Sequence, residues 1–145
     1  NGLELSEIAG LVKSLLDNYS EEPKKVKVYY DSVGIGYGFK EFADGYNFIA
    51  VNNAEKADSE EYPNKRSEGW FTSKGNYIPD INLREELINQ LRTPSYKLNS
   101  KGQLLVESKD ITRKTLKRSP DLADAYCLAC RKETSWFDKY GVLYK

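Results

Sequence analysis

Val26-Lys27-Val28-Tyr29-Tyr30-Asp31, followed by Ser32-Val33-Gly34-Ile35-Gly36-Tyr37-Gly38, is the stretch on which the fold turns. Its β-branched and aromatic residues suit a strand. The three glycines mark a tight turn, and Asp31 stands at the junction. Beyond the turn, Tyr37 to Phe42 reads as a short helix and Asn47-Phe48-Ile49-Ala50-Val51-Asn52 as a second strand. A strand, helix and strand in that order predict a parallel pair joined by a crossover. Upstream, residues 3–19 carry a helical stripe of Ile8, Leu11, Val12, Leu15, Leu16 and Tyr19. Glu21-Glu22-Pro23-Lys24-Lys25 breaks it before the strand.

Downstream, residues 53–63 are polar and acidic, the composition of an exposed loop. Lys65 to Phe71 predicts a helix that must cover Trp70 and Phe71. Ile81 to Leu91 predicts another, with Leu83, Leu87, Ile88 and Leu91 on one face. Tyr96 to Leu98 and Gln103 to Val106 flank Asn99-Ser100-Lys101-Gly102, a hairpin pattern. Lys109, Arg113, Lys114, Lys117 and Arg118 form a basic run ahead of the last helix, with Asp110 inside it. The last strong helix runs from Ser119 to about Lys132, with Ser119 as its cap and Pro120 in its first turn. Trp136, Phe137 and Tyr140 make an aromatic tail.

The chain's 145 residues suffice for one ordinary domain with a real core. Its 22 basic and 22 acidic side chains cancel. That balance argues against a strongly basic nucleic-acid binder overall while leaving local patches open. No stretch is apolar enough to span a membrane, and no secretory signal is visible. The chain contains no Met, so it reads as a piece of a longer polypeptide. Cys127 and Cys130 lack the partner ligands of a zinc site and are poorly spaced for a disulfide on a helix. They read as small buried residues in a reducing setting.

The chemistry lies in three aspartates. Asp31 ends a strand, which fixes its direction. Asp121 and Asp124 are three apart at the start of a helix, so they share a face, and the helix dipole favours their ionised form. Such carboxylates suit a hard divalent cation such as magnesium. Each also has an ordinary reading: Asp31 bonding the turn amides, Asp121 as a helix-start acid, Asp124 as a solvated one. The basic run suits a phosphate backbone or a solvated loop equally. Gly34-Ile35-Gly36-Tyr37-Gly38 lacks both the third glycine of a dinucleotide fingerprint and the Lys-Ser/Thr of a Walker loop.

Four segments in order resemble the nuclease domain of phage terminase large subunits. Tyr30 to Gly38 resembles that family's second acidic motif. Tyr62-Pro63-Asn64-Lys65-Arg66-Ser67-Glu68-Gly69-Trp70 is similar to its Asn-x-Arg segment. Glu107-Ser108-Lys109-Asp110 and then Lys117-Arg118-Ser119-Pro120-Asp121-Leu122-Ala123-Asp124-Ala125 resemble its closing signature. The resemblance covers residues 5–130. It implies an α/β, RNase H-like mixed sheet flanked by helices, one domain over 1–145 with an auxiliary hairpin near 95–107.

It further implies a two-metal endonuclease (a hydrolase) using Mg2+ or Mn2+, which cuts concatemeric bacteriophage DNA during packaging. Asp31 would be the second acidic ligand, Asp124 the final one, and Asp121 a further or supporting one. Lys109, Asn64 and Arg66 would meet double-stranded DNA, alongside Arg113, Lys114, Lys117 and Arg118. The implied partners are an ATPase motor domain in the parent chain, the small terminase and the portal, in the cytoplasm of a bacterial host. The family's first strands and first catalytic acid have no counterpart here, so the fold is expected to be N-terminally truncated and its metal site incomplete. The strand at 26–31 would then need its edge covered, for instance by another copy. Two rival readings are a non-catalytic DNA-binding or docking module of the packaging motor and another RNase H-like nuclease such as a resolvase.

Overall fold

The computed structural model describes residues 3–33, 38–78 and 82–131. They fall into two compact units, Asn1–Asn53 and Ala54–Lys145.

The first unit contains helix α1 (Leu5–Tyr19), a 3-10 turn (Pro23–Lys25), strand β1 (Lys27–Asp31), a second 3-10 turn (Phe39–Phe42) and strand β2 (Asn47–Val51). At the start of α1 the Glu7 carboxylate accepts from the Glu4 backbone N–H at 2.8 Å, one half of a capping box. The strands are parallel, as the sequence predicts, in register from Lys27 opposite Asn47 to Asp31 opposite Val51. The crossover helix is a single 3-10 turn. Gly38 enters it at φ 93°, a left-handed conformation that glycine adopts without strain. The glycine turn itself, residues 34–37, lies outside the described residues.

Phe39 is the hub of this unit. Its ring stacks on Phe48 at 5.1 Å and tilts against Tyr30 at 5.1 Å. Ala9 of α1 completes the buried cluster, with Leu5, Ile8, Val12 and Leu16 packed around it. This corrects the predicted stripe: Leu11, Leu15 and Tyr19 are exposed, at 56%, 57% and 86%. The apolar residues of α1 form two ridges, and the one flanking Ala9 faces inward. Ala9 is fully buried, and a side chain that small lets the helix approach the aromatic rings closely. Asp44 at φ 47° and Gly45 at φ 84° turn the chain into β2. Lys13 pairs with Asp44, and the Tyr46 hydroxyl donates to Asp17 at 2.6 Å, tying that corner to α1. The Asp17 hydrogen bond is the main reason the Tyr46 pKa is raised.

The second unit contains α2 (Lys65–Thr72), α3 (Arg84–Arg92), the antiparallel hairpin β3 (Tyr96–Leu98) and β4 (Leu104–Val106), α4 (Lys109–Leu116) and α5 (Asp121–Ala129). Asn99 closes the hairpin, its side-chain oxygen accepting from the Lys101 and Gln103 N–H groups at 2.9 and 3.0 Å. Leu87, Val106, Ala123, Cys127 and Leu128 are buried, and so are Ser67, Ser73, Gln90 and Thr112. The polar members are bonded. Ser67 accepts from the Val106 N–H at 3.2 Å, joining α2 to the hairpin.

Two expectations need correction here, and one open reading is resolved. The basic run, for which a solvated loop was one of two readings, is helix α4. Its inward face is built around Thr112, which is 0% exposed, so apolar periodicity does not reveal it. The stripe of α3 turns on Leu87 and Gln90, 4% and 2% exposed, while Leu83 is exposed; Ile81 lies outside the described residues. Pro120, not Ser119, stands at the cap of α5. The Ser119 hydroxyl instead donates to the Asp121 carboxylate at 2.5 Å. The aromatic tail from Trp136 lies outside the described residues. Among the described residues no helix is long and apolar enough to cross a membrane.

Candidate functional site

The first turn of α5 carries Asp121 and Asp124. The Lys109 ammonium lies 2.6 Å from Asp124 Oδ2 and 3.6 Å from Asp121 Oδ1. Two carboxylates therefore converge on one cationic point. The Asp124 side chain is 17% exposed and that of Asp121 77%, so the shared point sits at the rim of the unit rather than in its core.

Lys109 is delivered by a rigid shelf. It is the first residue of α4, behind Ser108, whose side chain caps the helix by accepting from the Ile111 N–H at 3.4 Å. Ser108 follows Glu107, and Glu107 is held on every side. Its backbone N–H donates to Ser95 O at 2.8 Å. Its carboxylate accepts from the Ser95 hydroxyl at 2.7 Å and the Thr112 hydroxyl at 3.1 Å. Its carbonyl accepts from Arg66 Nη1 at 2.6 Å. The hydrogen bond from the Ser95 side chain is the largest influence holding the Glu107 carboxyl below its ordinary range.

Arg66 lies inside this shelf. Its guanidinium stacks over Trp70 at 4.9 Å. Its Nε and Nη2 are buried and find no hydrogen-bond partner among the described residues. Burial lowers its pKa, and the negative charge of Asp124 opposes that. An arginine still stays charged at any ordinary pH. Arg66 thus adds a fixed positive charge that acts on Asp124. Asn64 caps α2, its side-chain oxygen accepting from the Ser67 N–H at 2.8 Å. Both residues of the Asn-x-Arg segment are thereby engaged inside the unit.

The remaining basic residues divide. Arg113, Lys114 and Lys117 are exposed on α4 and its C-cap. Arg118 pairs with Glu86 at 2.9 Å. In the first unit, Asp31 takes the turn-bonding role open to it: Oδ1 accepts from the Val33 N–H at 3.0 Å, and Oδ2 from Asn53 Nδ2 at 3.4 Å. Cys127 is buried, and burial pushes its thiol up to about 11, so that without a metal it stays protonated near neutral pH. Sequence reasoning missed Thr112, Glu86 and Gln90, and quoted Glu107 only within a motif, with no role of its own. The Ser108 cap signal, with Asp110 in the first turn and Arg113 and Lys114 in the last, was the available clue to α4.

Among the described residues no group of three or more acidic or thiol side chains gathers closely enough to hold a metal. The Asp121–Asp124 pair still fits a hard divalent cation, because magnesium keeps several waters and takes one or two carboxylates.

The fold has close parallels. The nuclease domain of the large terminase subunit gp2 of bacterial virus Sf6 matches with a TM-score of 0.66 at 17% identity, over 88% of this chain and 72% of that one. A point mutant of that domain with manganese gives 0.64 and 19%, over 88% and 73%. A mutant with calcium gives 0.65 and 19%, over 88% and 72%. No protein-family model and no curated protein matches the sequence. At this identity the likeness speaks to architecture, and on that ground the chain has the mixed α/β, RNase H-like fold of a phage large-terminase nuclease domain.

Proposed function

We propose that this chain is a metal-dependent DNA endonuclease module of a viral packaging terminase, cutting concatemeric DNA. The observation that carries the reading is the convergence of Asp121 and Asp124 on one cation, at 3.6 and 2.6 Å from the Lys109 ammonium. The manganese and calcium named for the Sf6 domain support a divalent metal.

In this reading Asp124 and Asp121 are the residues that would hold Mg2+ or Mn2+. Bound metal supplies an activated water and neutralises charge on the attacking and leaving oxygens. The chain's own residues do the rest. The N-terminal dipole of α5 favours negative charge in the turn that carries them. Lys109 offsets part of their negative charge and, with a metal bound there, would offer its ammonium to a DNA phosphate. Arg113, Lys114 and Lys117 follow the phosphate backbone, which binds without reading sequence. The ATPase motor, small terminase and portal are the partners that this role requires.

Plasmid nicking in Mn2+ is the test, run on this chain and on an N-terminally extended one. Asp124→Asn is expected to cut cleavage by more than about 100-fold, beyond the loss typical of a supporting residue, with the circular dichroism spectrum unchanged. Full cleavage by that variant, or wild-type cleavage in excess chelator, would overturn the reading.

A further inference from the structure

Helix α5 begins without a cap of its own. Pro120 occupies the cap position, and its side chain has no atom to accept a hydrogen bond. The first helical bond runs from the Asp124 N–H to Pro120 O at 2.9 Å. The Asp121, Leu122 and Ala123 amides precede it, and such groups need partners from outside the helix. The Ala123 N–H is buried and donates to Gln90 Oε1, from α3, at 3.1 Å.

Gln90 is 2% exposed, and a carboxamide is costly to bury unless its atoms are bonded. Both ends are. Its Nε2 donates to Glu86 Oε1 at 2.9 Å, and the same Glu86 oxygen meets Arg118 Nη1 at 2.9 Å. The carboxamide's orientation is fixed by this pattern: its oxygen must face an N–H and its nitrogen a carboxylate. A chain of three contacts therefore runs from Arg118, two residues before Pro120, through Glu86 and Gln90 to the third residue of α5. It closes a loop around the turn that bears Asp121 and Asp124.

We infer that Gln90 is a positioning residue for the acidic turn. It acts as the cap that Pro120 cannot be, held in orientation by the Glu86–Arg118 pair, and it fixes the first turn of α5 so that Asp121 and Asp124 converge. The inference rests on the nuclease reading for its consequence and not for its geometry. A substrate phosphate that draws Arg118 away would loosen Glu86, so the grip on DNA and the set of the acidic turn are linked through this one side chain.

The test uses the whole chain and three variants. Gln90→Leu keeps the volume and removes both bonds. Gln90→Glu keeps the acceptor for Ala123 and sets a carboxylate against Glu86. Glu86→Gln combined with Gln90→Glu exchanges the two groups and restores donor and acceptor. Two readouts are taken by NMR: hydrogen exchange of the Ala123 amide, and Mn2+ broadening of the Asp121 and Asp124 amides. Gln90→Leu is expected to speed Ala123 exchange by at least about five-fold, the size of a lost cap, and to weaken Mn2+ binding by about ten-fold, as for a residue that orients ligands. The exchanged pair is expected to recover both relative to Gln90→Glu. Unchanged Ala123 exchange in Gln90→Leu, or freed exchange with unchanged Mn2+ affinity, would overturn the inference. If wild-type protein shows no Mn2+ broadening, the nuclease reading falls, and the exchange and its recovery in the double variant decide the capping role on their own.

Discussion

Each of the two units is organised internally by different means. The first is organised by apolar contact: Phe39 between Tyr30 and Phe48, with α1 laid across them through Ala9. The second buries Gln90, Thr112, Ser67 and Ser73 beside its apolar residues, and its elements are tied by bonds from side chains to the backbone of other elements. Apolar contact is graded and tolerant of small shifts. A buried hydrogen bond is directional and is lost outright when its geometry fails. The second unit is accordingly the one suited to hold side chains to the tolerance that catalysis needs.

That contrast can be broken at several points. The largest effect is expected from Phe39→Ala, which removes the hub of the first unit. Emptying such a site costs about 3–5 kcal/mol, read as a shift in the denaturation midpoint with an unchanged slope. A loss under about 1 kcal/mol would show that the aromatic stack is not what organises that unit.

A smaller effect is expected from pH. The Cys127 thiol is raised to about 11 by burial, above the range of a free thiol near 8.5. Its protonated form is favoured in the folded state, so the stabilisation is whole below about pH 8.5 and is lost as pH rises towards about 11. Cys127→Ala should flatten that decline between about pH 9 and 11, measured by denaturation across the range. A decline of the same steepness in the variant would assign it to other groups.

The smallest is expected from Lys109→Ala. The pair with Asp124 is partly exposed, and such pairs contribute about 1 kcal/mol or less. Freeing Asp124 should tighten Mn2+ binding by no more than about five-fold, seen by calorimetry, while weakening DNA binding at low salt. Weaker Mn2+ binding in this variant would mean that Lys109 supports the carboxylates rather than competing for them.

The same contrast explains what could be read in advance. β1 and β2 were legible because Val26 to Tyr30 and Phe48 to Val51 are β-branched and aromatic runs, the pattern that burial in a sheet imposes. The hairpin was legible through Asn99 and Gly102, and α5 through the start signal of Ser119 and Pro120. The α1 stripe was half right, since spacing alone does not tell which of two apolar ridges faces inward; Ala9 decided it by size. α4 was illegible because its buried residue is Thr112, and α3 hid its key position because Gln90 is polar, although it lies one turn beyond Leu87. Polar side chains that serve another element's backbone leave no periodic trace. Asp121, Asp124, Lys109 and Arg66 were named from the sequence, while the pairing of Lys109 with Asp124 and the bonds that hold Glu107 became intelligible only through distances.

Lys109 has one more consequence. An ammonium carried on the chain is a counter-ion that no dilution or dialysis removes. The negative charge of the α5 turn is therefore partly offset from the moment it forms, in a medium free of divalent ions, and the protein is not obliged to wait for a metal before it assembles the place where one would bind.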